Sequence, residues 1–113
     1  MKTKQVLGAL TALAQETRLA LFRLLVQVGP AGMSATKIAE QLDVAPSSLS
    51  FHLKELTQAG LIQPRQDGRF VFYSADVTAM NGLINFLTEN CCAGVPCGPD
   101  VTCDLDPPSR LNI

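Results

Sequence analysis

The chain has 113 residues, 47% of them hydrophobic and 17% charged, with a net charge of −1 at neutral pH. That length suits one domain with a modest core, which a second copy would help, and so small a net charge makes no global case for a polyanion-binding protein. Apolar runs such as Leu19 to Val28 are interrupted by Arg23 and Gln27, and residues 1–14 lack the charged start, apolar middle and cleavage site of a signal peptide; the expectation is a soluble, cytoplasmic protein with no membrane segment.

Residues 4–14 place Leu7, Leu10 and Ala14 on one helical face, and residues 16–28 form a second, Leu-rich helix relieved by Arg18, Arg23 and Gln27. Gly29-Pro30 ends it, because proline cannot continue the hydrogen-bond ladder. Ser34 is a good N-cap for a third helix over 35–42, with Ile38, Ala39 and Leu42 facing inward. Asp43-Val44-Ala45 then turns the chain into a fourth helix that starts at Pro46 and stops before Gly60. Leu49, Leu53 and Leu56 follow the i, i+4, i+7 spacing of one buried face. Ala45 stands where a capping Ser or Asp is expected, which costs roughly 1 kcal/mol. A short helix, a tight turn and a second helix make a helix-turn-helix.

The outer face of that second helix carries Ser47, Phe51, Lys54 and Gln58, flanked by Ser48, Ser50 and Glu55. Solvated helix faces usually carry long charged side chains, since serine is a middling helix former; three serines around an outward Phe suit close approach to another surface. The major groove of double-stranded DNA is one such surface, with Ser47, Ser48, Ser50 and Phe51 toward base edges and Lys54 toward phosphate. After Gly60, the β-prone runs Leu61 to Arg65 and Arg69 to Ser74 are joined by Gln66-Asp67-Gly68, a hairpin signal. Phe70 and Phe72 alternate with Arg69, Val71 and Tyr73, so one face of this wing can pack on the helices. Arg65 and Arg69 flank its tip, placed for phosphate or the minor groove. Charge agrees with this arrangement: residues 1–74 hold eight Lys/Arg against five Asp/Glu, whereas residues 75–113 hold one against five. The fold expected is mainly α with a β-hairpin wing, a homodimeric winged helix-turn-helix.

Residues 77–91 read as a last helix whose Met80, Ile84, Leu87 and Cys91 line one stripe, with Leu83 beside it. Such a stripe needs a partner, and a second copy of the chain supplies one. Residues 1–91 are expected to form the DNA-binding and dimerisation domain. Residues 92–113, with Gly94, Pro96, Gly98, Pro99, Pro107 and Pro108, are expected to form a flexible tail. All four cysteines, Cys91, Cys92, Cys97 and Cys103, fall at this junction. In a reducing compartment clustered thiols are more often ligands or redox groups than disulfides. Structural zinc wants four ligands and trivalent arsenic three thiolates, so the cluster permits either; incidental surface thiols or an adventitious disulfide are the plainer readings. The single histidine, His52, lies near the leucine stripe and reads as a packing residue. Without a second His, paired carboxylates or a Cys-x-x-Cys motif, the chain does not read as an enzyme, and no organic cofactor is expected.

The element order, together with Glu16-Thr17-Arg18-Leu19, Ser50-Phe51-His52-Leu53-Lys54-Glu55-Leu56 and Ala59-Gly60-Leu61-Ile62, resembles the ArsR/SmtB family over about residues 6–91. That resemblance implies a dimeric bacterial repressor that releases operator DNA on binding metal or metalloid. Arsenic sensors of the family often carry a Cys-x-Val-Cys pair in the third helix, and residues 34–42 hold no cysteine. The chain is similar instead to the subgroup with vicinal cysteines at the end of the last helix and another soon after, which implies an As(III) or Sb(III) inducer. The zinc sensors' His and carboxylate pairs have no counterpart in residues 77–91. Of the candidate ligands, Cys91 and Cys92 sit together, and closing a loop from Cys92 to Cys97 is favoured over closing one to Cys103 by roughly 0.7 kcal/mol. The expected trio is Cys91, Cys92 and Cys97, with Cys103 spare. Methylated arsenite or thiol oxidation are alternative inputs for the same fold. A thiol redox or metal-carrier protein that uses the winged helix only to dimerise is the alternative of another class.

Overall fold

Five helices and three short strands follow one another in the computed structural model, which describes residues 1–90: α1 (Thr3–Leu13), α2 (Glu16–Val28), β1 (Met33–Ser34), α3 (Ala35–Leu42), α4 (Pro46–Gln58), β2 (Ile62–Asp67), β3 (Phe70–Ala75) and α5 (Val77–Leu87). Local chemistry accounts for most of these boundaries. The Gln15 side chain accepts from the Arg18 N–H to open α2, Ser34 accepts from the Lys37 N–H to open α3, and Asp76 accepts from the Ala79 N–H to open α5. Pro46 occupies the first turn of α4, where its missing N–H costs nothing, and Ala45 before it makes no side-chain cap. The end of α4 is closed by two crossed bonds, Leu61 N–H to the Leu56 carbonyl and Gly60 N–H to that of Thr57, a Schellman motif whose two leucines are both fully buried.

Leu21 and Leu25 of α2, Ile38 of α3, Leu49, Leu53 and Leu56 of α4, and Leu61-Ile62 at the root of the wing form one core, to which α5 contributes Leu83. The inward face of α1 differs from the expected one. Val6, Ala9 and Ala12 are buried, while Leu7 and Leu10 are exposed. The i, i+3 spacing is the same for both sets; the smaller side chains let the α1 backbone lie close to its neighbours, and the leucines are left outside.

The sheet is three-stranded, in the order β1-β3-β2, with both pairings antiparallel. The structure adds to the expected wing in two respects. The strand Met33–Ser34 pairs with Tyr73 and Phe72, an association that two residues of sequence cannot signal. The hairpin also runs further than expected, pairing Asp67 with Phe70 across a two-residue Gly68-Arg69 connection. Gly68 has φ +65 and Arg69 does not share the positive φ, the combination a type II′ turn needs and one whose twist lets the ladder continue to its end. On β3 the side chains that reach the core are Tyr73 and Ala75, whereas Phe70 near the tip is 63% exposed.

A further correction concerns α5, expected to run to residue 91. It ends at Leu87; Thr88 leaves helical geometry, its hydroxyl donates to the Ile84 carbonyl, and Asn90 takes a left-handed φ of 60. Ile84 and Leu87 of the expected stripe are exposed, and Leu83 is the buried residue of the helix. Cys91, Cys92, Cys97 and Cys103 lie outside the described residues. No helix among the described residues is long and apolar enough to cross a membrane.

Candidate nucleic-acid interface

The helix-turn-helix is built from α3 and α4, which meet through Asp43, held at φ 54 and ψ 52. Aspartate is among the few residues that tolerate this left-handed conformation, and it redirects the chain within one turn. With Leu49, Leu53 and Leu56 turned into the core, Ser47, Ser48, Ser50, Phe51 and Lys54 are all exposed on the opposite side of α4. Phe51 is 55% exposed, an unusual position for an aromatic ring on a helix that already buries three leucines. A groove of about 330 Å³ runs beside this face, lined by Ser50, Lys54 and Gln58 of α4 and by Pro64 and Tyr73 of the hairpin. The root of the wing therefore stands next to the outer face of α4.

The two wing arginines are placed differently. Arg69 sits in the turn at the tip and is exposed. Arg65, also exposed, donates from Nη2 to the Ala31 carbonyl at 2.8 Å and lies over the Phe72 ring at 5.4 Å. Its guanidinium thus ties β2 to the loop before β1 and keeps only its remaining donors for another partner. That loop lies close against β3: a Cβ on Gly32 would stand 2.7 Å from the Tyr73 carbonyl oxygen, and Gly32 has φ +76.

These elements have counterparts among known proteins. A family model described as a helix-turn-helix domain matches residues 13–65. The homodimeric winged helix-turn-helix DNA-binding domain of a Mycobacterium bovis protein superposes with a TM-score of 0.61 at 27% identity, covering 77% of this chain and 81% of that one. The arsenical resistance operon repressor of Bacillus subtilis is 35% identical over 81 residues, which are 72% of this chain and 73% of the repressor. The chain belongs to the ArsR family. A Halobacterium salinarum protein named ArsR is 39% identical over 75 residues, 66% of this chain, and the match spans only 55% of that longer relative. The relatives are named as transcriptional regulators, in keeping with a reading of the chain as no enzyme.

Within this ArsR-family chain, sequence reasoning placed every α4 and wing candidate on an exposed surface and missed a residue that touches it. Arg18, at the start of α2, reaches α4 from 34 positions away, bonding His52 and lying over Phe51. Periodicity within α2 explains only that Arg18 is polar, so no local signal connects it to α4. His52 is a half-buried packing residue, as expected, with its pKa held below 6.5 by burial and then by the Arg18 charge, against an opposing pull from Glu55. Among the described residues no three His, Cys, Asp or Glu side chains gather as metal ligands.

Proposed function

We propose that the chain is a cytoplasmic transcriptional repressor that binds operator DNA as a homodimer and lets go when As(III) or Sb(III) is bound by Cys91, Cys92 and Cys97. The observation that carries the DNA half is the outer face of α4, where Ser47, Ser48, Ser50, Phe51 and Lys54 stand exposed beside a wing tipped by Arg69. Small hydroxyl side chains let the helix approach base edges closely, Phe51 is suited to a thymine methyl, and Lys54, Arg65 and Arg69 suit phosphates or the minor groove. With few basic residues per copy, binding leans on two recognition helices spaced about one DNA turn, roughly 34–36 Å, apart on a palindrome.

Support for the dimer comes from apolar side chains that α1 and α5 leave uncovered, Leu7 and Leu10 on one and Ile84 and Leu87 on the other. Support for the inducer comes from relatives named for arsenical resistance and from four thiols within 13 residues of sequence. Ligation at Cys91, four positions beyond the end of α5, pulls on the helix that carries Ile84 and Leu87 and so biases how two copies pair.

The test is a gel shift with DNA from the region upstream of the protein's own coding sequence, with and without arsenite. The expected result is a shift that arsenite abolishes and peroxide does not. By linkage, operator DNA weakens arsenite binding by the same factor that arsenite weakens DNA binding. No shift overturns the DNA reading, release by peroxide alone replaces the metalloid with thiol oxidation, and an arsenite affinity that operator DNA leaves unchanged removes the coupled mechanism.

A further inference from the structure

Arg18 stands outside the α3–α4 pair, yet its guanidinium joins three groups. Nε donates to the Ala12 carbonyl at 2.6 Å, one of the final carbonyls of α1 that have no partner within their own helix. Nη1 lies 3.2 Å from Nδ1 of His52. A guanidinium only donates, so Nδ1 is the acceptor and the imidazole is neutral, with its proton on Nε2. The guanidinium carbon is 5.9 Å from the centre of the Phe51 ring, and the His52 ring meets Phe51 edge-on at 5.6 Å. One planar cation therefore links the end of α1 to two consecutive residues of α4, the second tucked inward and the first on the outer face.

We propose that Arg18 is a positioning residue for DNA readout, holding Phe51 in the orientation in which the outer face of α4 meets base edges, with His52 as the second anchor of the same guanidinium. The inference rests on the DNA-binding reading above and deepens it. A stack on an exposed ring favours one Phe51 rotamer over its alternatives by about two- to fivefold before DNA arrives. Lysine cannot replace the arrangement, because it lacks the fork that serves Ala12 and His52 together and the plane that covers Phe51. The charged groups acting on the imidazole are Arg18 from α2 and Glu55 from α4 itself, while α1 contributes the Ala12 carbonyl through Arg18. A protonated imidazole has no lone pair for Arg18 and repels it, so acid opens the brace.

The experiment uses the full chain. The parent protein enriches a duplex from a random library, and affinities for that duplex and a shuffled one are compared for the parent, Arg18→Gln, Arg18→Lys and His52→Gln, with thermal unfolding run on each. Both Arg18 variants are expected to lose about two- to fivefold in discrimination, the rotamer preference that the stack supplies, with shuffled-duplex affinity and its salt dependence unchanged. The single histidine's NMR titration moves upward in Arg18→Gln. The parent's discrimination falls as the pH drops below 6.5, whereas that of His52→Gln stays level. Arg18 variants that keep the parent's discrimination, or that lose both duplexes equally, overturn the proposal. So does a parent whose discrimination ignores pH while His52 titrates. A parent that enriches no sequence overturns the DNA reading itself, and the positioning role with it.

Discussion

Replacing Ile84 by Ser tests whether the uncovered side of α5 is where two copies meet. Ile84 is 50% exposed, so about half of its burial contribution remains to be gained on association. Full burial of such a side chain stabilises by roughly 1.5–3 kcal/mol, which leaves about 0.8–1.5 kcal/mol per copy. A two-fold axis presents the same residue from both subunits, so the substitution removes about 1.5–3 kcal/mol from the dimer, a rise of roughly 10- to 150-fold in its dissociation constant. The side chain is outside the core, and the fold of the subunit should survive with little change in unfolding temperature. Sedimentation equilibrium over a range of protein concentrations measures the constant directly. Operator affinity should fall in parallel, because a monomer brings one recognition helix to a site that needs two. An unchanged dissociation constant in Ile84→Ser, or a parent protein that stays monomeric at micromolar concentration, refutes α5 as the seam.

Phe51→Ala should lose discrimination between operator and random DNA while keeping general affinity; equal loss on both, measured by competition gel shift, removes Phe51 from the readout. Gly32→Ala should destabilise the subunit by at least about 1–2 kcal/mol, since Cβ would meet the Tyr73 carbonyl at 2.7 Å on a residue at φ +76, and urea unfolding reads the loss. Because burial and Arg18 hold the His52 pKa below 6.5, the unfolded chain takes up that proton first as pH falls; the contribution is complete above pH 6.5 and is lost below it. Urea midpoints of the parent should therefore drop between about pH 7 and about pH 5 by more than those of His52→Gln. Cys97→Ser should keep DNA binding and lose arsenite release, whereas Cys103→Ser should respond nearly as the parent does; the reverse pattern in a gel shift exchanges the two ligands.

What the sequence determined by itself was local. Gly29-Pro30 stops α2 at Val28, Ser34 starts α3, Pro46 starts α4, and Gly60 permits the Schellman closure; each boundary depends on groups within about four residues of one another, and the sequence reading places them where the structure does. Leu49, Leu53 and Leu56 were legible as the buried stripe because three large side chains repeat at the helical period against a polar outer face. That same contrast made Ser47, Ser48, Ser50, Phe51 and Lys54 legible as a candidate surface. Tertiary structure decided the choices for which local chemistry has no preference. α1 offers two apolar faces of equal period, and only the neighbours it packs against select Val6, Ala9 and Ala12 over Leu7 and Leu10. β1 is two residues long and exists because β3, about 40 positions later, gives its backbone partners. Arg18 and His52 are 34 residues apart, and their bond forms because packing α2 against α4 brings a fork of donors to a neutral imidazole, a juxtaposition that no periodicity along the chain encodes.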